Sequence, residues 1–130
     1  MRYILDTHIL LWYANGDRRL KGSTLDLLQE DSAQLCVSAA SLWEMSIKES
    51  LGKLELEGGY SKWTKQNIIS QPYEIMMIEI EHFNQLSSLP WHHRDPFDRL
   101  ILSQCMMENA NLVTRDKVFA EYSGVELLLV

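Results

Sequence analysis

Apolar residues along the chain fall into short continuous runs separated by longer stretches with helical spacing. The runs at 3–5 (Tyr3-Ile4-Leu5), 35–37 (Leu35-Cys36-Val37), 74–78, 112–114 (Leu112-Val113-Thr114) and 125–130 predict five strands. Between them, helices are predicted over 8–14, 23–30, 42–51, 60–69, 81–86, 96–108 and 117–122. Punctuation supports these bounds. Asn15-Gly16-Asp17 breaks the first helix, Gly52 stops the third, and Pro72 marks a boundary. Asp95 and Pro96 suit the N-cap and first turn of the 96–108 helix. The segment 54–56 stays ambiguous, and 87–95 reads as a polar, aromatic loop. Short apolar strands alternating with helices imply an α/β fold with a mainly parallel sheet.

Composition narrows the class. The chain has 130 residues, 46% hydrophobic and 23% charged, which fits one domain over 1–130 and argues against disorder. No apolar run approaches the roughly 20 residues of a membrane helix. The start Met1-Arg2-Tyr3-Ile4-Leu5-Asp6 meets charge too early for a signal peptide, so a cytoplasmic protein is expected. Two cysteines, Cys36 and Cys105, exclude a disulfide scaffold and a four-cysteine zinc site. Both lie in apolar stretches and are expected to be buried. Met76-Met77 and Met106-Met107 read as core.

Charge changes the picture further. Twelve Lys+Arg stand against 18 Asp+Glu, for a formal charge of −6. A generic phosphate-gripping surface is therefore excluded, and any polyanion would need local compensation such as divalent cations.

In open α/β sheets, sites form beyond the carboxyl ends of the strands. Asp6 follows the first strand and Asp116 the fourth, in Val113-Thr114-Arg115-Asp116. Glu44 is expected in the first turn of the helix after the second strand, and Asp98 in the first turn of the 96–108 helix. In a parallel sheet these positions share one edge, so the four carboxylates can converge. Clustered carboxylates repel unless a cation compensates. Oxygen ligands without a matching Cys/His set favour Mg²⁺ or Mn²⁺. Structural readings stand beside this one. Ser41-x-x-Glu44 matches a capping box, Asp98 sits where acids favour the helix dipole, and Asp95 or Asp116 can simply cap. Asp6 is harder to dismiss, because a charge ending a hydrophobic strand is costly unless paired.

Four segments together resemble a PIN domain, and more closely the VapC-type toxins of toxin–antitoxin pairs. They are Tyr3-Ile4-Leu5-Asp6-Thr7-His8, Ser41-Leu42-Trp43-Glu44, His93-Arg94-Asp95-Pro96-Phe97-Asp98-Arg99-Leu100 and Leu112-Val113-Thr114-Arg115-Asp116. The resemblance runs from Tyr3 to the final strand. It implies a three-layer α/β/α fold with a five-stranded, mainly parallel sheet. It also implies a Mg²⁺- or Mn²⁺-dependent endoribonuclease, an RNA substrate, an antitoxin partner and a homodimer. The family's acidic set falls on Asp6, Glu44, Asp98 and Asp116, as catalytic and metal-binding residues. Thr114 matches a hydroxyl residue of the family. Thr7 and Ser38 are weaker matches, and Asp95 is an extra acid beside the set.

Arg99 and Arg115 flank the acids and can grip phosphate or neutralise the cluster. Trp91-His92-His93-Arg94 can stack on bases or form a packed loop. His8 reads as a local hydrogen-bonding group. Trp12, Trp43 and Trp63 read as packing residues, and an exposed groove among them would suit a partner helix. Two other classes remain open. A phosphatase resembling the haloacid dehalogenases would need a second Asp where this chain has His8. A receiver-like module or a non-catalytic PIN scaffold would carry strand-end acids without hydrolysis.

Overall fold

A computed structural model describes residues 1–130. Five strands form one parallel sheet: β1 (Arg2–Leu5), β2 (Gln34–Ser38), β3 (Glu74–Met76), β4 (Asn111–Thr114) and β5 (Leu127–Leu129). Their order is β3-β2-β1-β4-β5. The chain therefore moves outward from β1 to β3, crosses back to the other side of β1, and moves outward again. Strand order reverses between β1 and β4, which is where an α/β sheet opens a crevice.

The strand runs lack polar alternation because both sheet faces are covered. Tyr3, Leu5, Val37 and Val113 point into one apolar cluster with Ile9, Leu10, Met45, Trp63 and Ile68. Ile4, Cys36 and Leu112 point into the other, with Leu100, Ile101, Leu102, Cys105 and Phe119. Helices α1 (Thr7–Asn15), α2 (Gly22–Leu28) and α4 (Tyr60–Thr64) feed the first cluster. Helix α6 (Pro96–Glu108) and the flanking α5 (Ile80–Ser87) feed the second. Helix α3 (Ala39–Ser50) sends Ala40 to one cluster and Met45 to the other. The result is the expected three-layer α/β/α sandwich.

Several boundaries differ from the sequence expectation. Helix α3 starts at Ala39 rather than at 42, because Ser38 closes β2 and accepts the Ala40 N–H at 3.0 Å. Ser41 is thus inside the helix, Glu44 lies in its second turn, and the Ser41–Glu44 capping box does not form. The 60–69 helix changes pitch at Lys65, where one π-helical turn runs to Ile69. The 117–122 segment is a 3₁₀ turn, Lys117–Glu121. The closing strand is shorter than 125–130. Met76 is buried, but Met77 and Met107 are exposed. Both cysteines are buried and free.

Candidate active site

The reversal between β1 and β4 brings two acids side by side. Asp6 is the first residue after β1, and its backbone N–H still reaches across to Val113 O (3.0 Å). Its side chain caps α1 by accepting the Ile9 N–H at 3.0 Å. Asp116 lies two residues past β4 and caps the 3₁₀ turn through Val118 N–H (3.0 Å). Thr114 joins them: its hydroxyl donates to Asp6 and accepts the Asp116 N–H at 3.0 Å. The third acid comes from α6. Asp95 caps that helix by accepting the N–H groups of Phe97 (2.9 Å) and Asp98 (3.1 Å). This presents Asp98, at the third helical position, to the same crevice.

Asp6, Asp98 and Asp116 line a cleft of about 390 Å³ together with His8, Arg115 and Lys117, without any apolar side chain. A larger cleft, about 610 Å³, lies at the amino ends of β1, β4 and β5 around Arg2, Asn111 and Glu126. It is on the wrong rim for strand-end chemistry and gathers no acid cluster.

The charge in the smaller cleft is unbalanced. Burial, then the neighbouring carboxylates of Asp95, Asp6, Glu44 and Asp116, push the Asp98 carboxyl up to about 8. Burial also raises Asp6, against the lowering effect of its hydrogen bonds from Thr114 and Ile9.

Glu44 stands behind this group. It does not line the cleft, although its charge reaches Asp98. Both of its oxygens are engaged: Thr7 Oγ1 donates to Oε1 at 2.6 Å, and Lys48 Nζ pairs with Oε2 at 2.6 Å. Thr7 also contacts the Ser41 hydroxyl at 3.0 Å. Of the four expected acids, three therefore meet in the cleft and the fourth is tied to Lys48 beside it.

The remaining expected residues separate by role. Thr7 and Thr114 hold acids. Ser38 caps α3 and bonds Gln104, away from the cleft. Arg115 lines the cleft and passes over the Trp12 ring at 5.1 Å. Arg99 does not face it. The residue is buried, and its guanidinium donates to Pro90 O (2.9 Å), His93 O (3.2 Å) and Leu89 O (3.3 Å) while stacking on Trp91 at 3.7 Å. A phosphate grip by Arg99 is therefore excluded; it fastens the 87–95 loop through that loop's carbonyls, with Tyr122 Oη donating to Pro90 O as well at 2.9 Å. The groove expected among three tryptophans is also absent, since Trp12 and Trp63 are buried and Trp43 alone is exposed.

His93, read from the sequence only as part of a loop that could stack on bases, lies among the acids. His93 Nε2 lies 2.9 Å from Asp116 Oδ2 and 3.2 Å from Asp98 Oδ2. These three residues form a group whose ligand atoms all lie within 4.8 Å of one another. The available signal was His93 five residues ahead of Asp98, across a helix start.

Comparison with known proteins agrees with this fold. No curated protein matches the chain. Solved structures of similar fold include VapBC2 from Rickettsia felis bound to a promoter DNA fragment, at TM-score 0.76 and 22% identity, covering 100% of this chain and 99% of that one. VapBC-1 from nontypeable Haemophilus influenzae matches at TM-score 0.72 and 16% identity, over 99% and 98% of the two chains. DNA-bound VapBC from Salmonella typhimurium matches at 0.73 and 15%, over 98% and 97%. The family model described as the PIN domain matches residues 3–125. With its sheet order, its strand-end acids and a match over nearly its whole length, the chain belongs to the PIN domain family.

Proposed function

We infer that the protein is a Mg²⁺- or Mn²⁺-dependent endoribonuclease of the VapC type, the toxin of a toxin–antitoxin pair acting in the cytoplasm. The observation that carries this reading is the convergence of Asp6, Asp98 and Asp116 at the β1/β4 crevice. There Asp98 is pushed to about 8 by burial and like charge. A partly buried carboxylate cluster with this imbalance fits a hard divalent cation, which oxygen donors favour. When bound, such an ion supplies Lewis acidity at a phosphoryl oxygen and acidifies water.

The chain's own residues do the rest. Asp6, Asp98 and Asp116 would hold the ion, and Thr114 orients the first and third of them. Glu44, neutralised by Lys48 and oriented by Thr7, completes the acidic set from behind. Arg115 and Lys117 in the cleft wall offset phosphate charge, which an acidic chain otherwise repels. RNA is the substrate class we assign. The test is cleavage of single-stranded RNA with Mn²⁺, with EDTA, and by Asp6→Asn and Asp98→Asn. Loss of cleavage in EDTA and in both folded variants is expected. Undiminished cleavage by both variants sinks the assignment.

The partners follow from exposed apolar surface. Trp43 and Ile47 on α3 and Leu51 at its C-cap are exposed at helical spacing, a stripe that fits an antitoxin segment. Trp43 packs edge-on against Phe97 at 4.9 Å, next to Asp98, so a segment on this stripe ends beside the acids. Several similar structures are, by their descriptions, toxin–antitoxin complexes or VapBC assemblies. Met77, Ile80 and Phe83 expose a second apolar patch beside the edge strand β3, which we assign to a second copy of the chain. No helix is long and apolar enough to cross a membrane.

A further inference from the structure

His93 projects into the acid cluster from the 87–95 loop, and the proton on its ring can be placed. Nδ1 accepts the Asp95 N–H at 3.1 Å. An imidazole nitrogen that accepts carries no hydrogen, so the ring's proton sits on Nε2. That N–H points at Asp116 Oδ2 (2.9 Å) and Asp98 Oδ2 (3.2 Å). The Nε2 lone pair is consequently not available to a metal.

The ring is also held in place. It lies 5.1 Å from the Phe119 ring, the His93 N–H donates to Tyr122 Oη at 2.8 Å, and the His93 carbonyl accepts from Arg99.

We propose that His93 is a positioning residue for Asp98 and Asp116 that sets how readily the two acids take up a cation. Its Nε2–H bridges both side chains, and a cation taken up by them would compete with that bridge, so His93 sets metal affinity without supplying a ligand. This rests on reading the cleft as a divalent-cation site. The N–H separates two carboxylates that otherwise repel, and a cation must break both hydrogen bonds to replace it. Removing the bridging donor should therefore favour the ion. Hydrogen bonds to charged groups are the stronger kind, and losing two of them corresponds to an affinity gain of about tenfold or more.

The test is Mn²⁺ titration of the full chain by calorimetry, comparing wild type, His93→Ala and His93→Gln. Electron spin-echo spectra of the Mn²⁺-loaded proteins are recorded alongside. His93→Ala is expected to bind Mn²⁺ about tenfold more tightly. His93→Gln, which keeps an N–H donor at a similar reach, should stay near wild type. The wild-type spectrum should lack directly coordinated ¹⁴N. Weaker or unchanged binding by His93→Ala overturns the proposal, as does a coordinated ¹⁴N signal that disappears in His93→Gln. Should His93→Ala not fold, the wild-type and His93→Gln spectra decide alone. Absence of any Mn²⁺ binding by wild type instead removes the metal reading, and this proposal with it.

Discussion

At the scale of single residues, Asp98 shows how the fold stores charge for use. Its carboxyl titrates at about 8, against 3.8 in an unfolded chain, because burial and four neighbouring carboxylates disfavour the anion. The sign of the consequence is fixed. Between pH 4 and 8 the folded protein keeps a proton on Asp98 that the unfolded chain has released. Stability therefore declines as pH rises through that window and levels off above it. A cation must displace the same proton, so metal affinity climbs with pH until about 8. Denaturant unfolding and Mn²⁺ titration between pH 5 and 8.5 should show the two opposite trends. Asp98→Asn should flatten the stability curve. Asp6 stood out in the sequence because it follows an apolar strand directly, where an unpaired charge is costly; Asp116, two residues past its strand, could equally be read as a cap. His93 was readable as part of a loop that could stack on bases, but not as a neighbour of the acids. Its role depends on reaching Asp98 and Asp116 across a loop, and nothing in local spacing specifies that reach.

At the scale of elements, the 87–95 loop and α6 act as one unit. Asp95 and Pro96 start the helix by local rules, and that start was legible from the residues alone. Removing the cap with Asp95→Ala should cost about 1 kcal/mol of stability, measured by urea unfolding. Arg99, one turn further, was not legible. A guanidinium beside an acid suggests phosphate binding on paper, whereas here it turns inward to carbonyls of a preceding loop. Those partners are set by tertiary placement. Arg99→Met should be the more damaging change, on the order of 3 kcal/mol, because several buried carbonyls lose their donor. The start of α3 is a subtler case. Ser38 and Ser41 are both acceptable caps by residue type, and the end of β2 decided for Ser38. Glu44 thereby moved into the second turn, within reach of Thr7 and Lys48.

At the scale of the whole molecule, the surface left apolar is as informative as the core. Met77, Ile80 and Phe83 lie next to an edge strand, where exposed apolar residues invite association. Light scattering should give about twice the 15.1 kDa chain mass for wild type. The Ile80→Glu/Phe83→Glu variant should return the monomer with its thermal unfolding little changed. A wild-type monomer at working concentrations contradicts that interface.

The amino-acid sequence by itself determined the alternation of strands and helices, the burial of both sheet faces, and the acids at strand ends. These are consequences of local periodicity and of the cost of placing charge against apolar strands. Only the tertiary structure decided which acids meet. The β3-β2-β1-β4-β5 order sets Asp6 beside Asp116, α6 delivers Asp98, and Glu44 is left paired with Lys48. It also turned Arg99 inward and set His93 among the carboxylates. Such arrangements depend on contacts between residues distant along the chain, and local spacing carries no information about them.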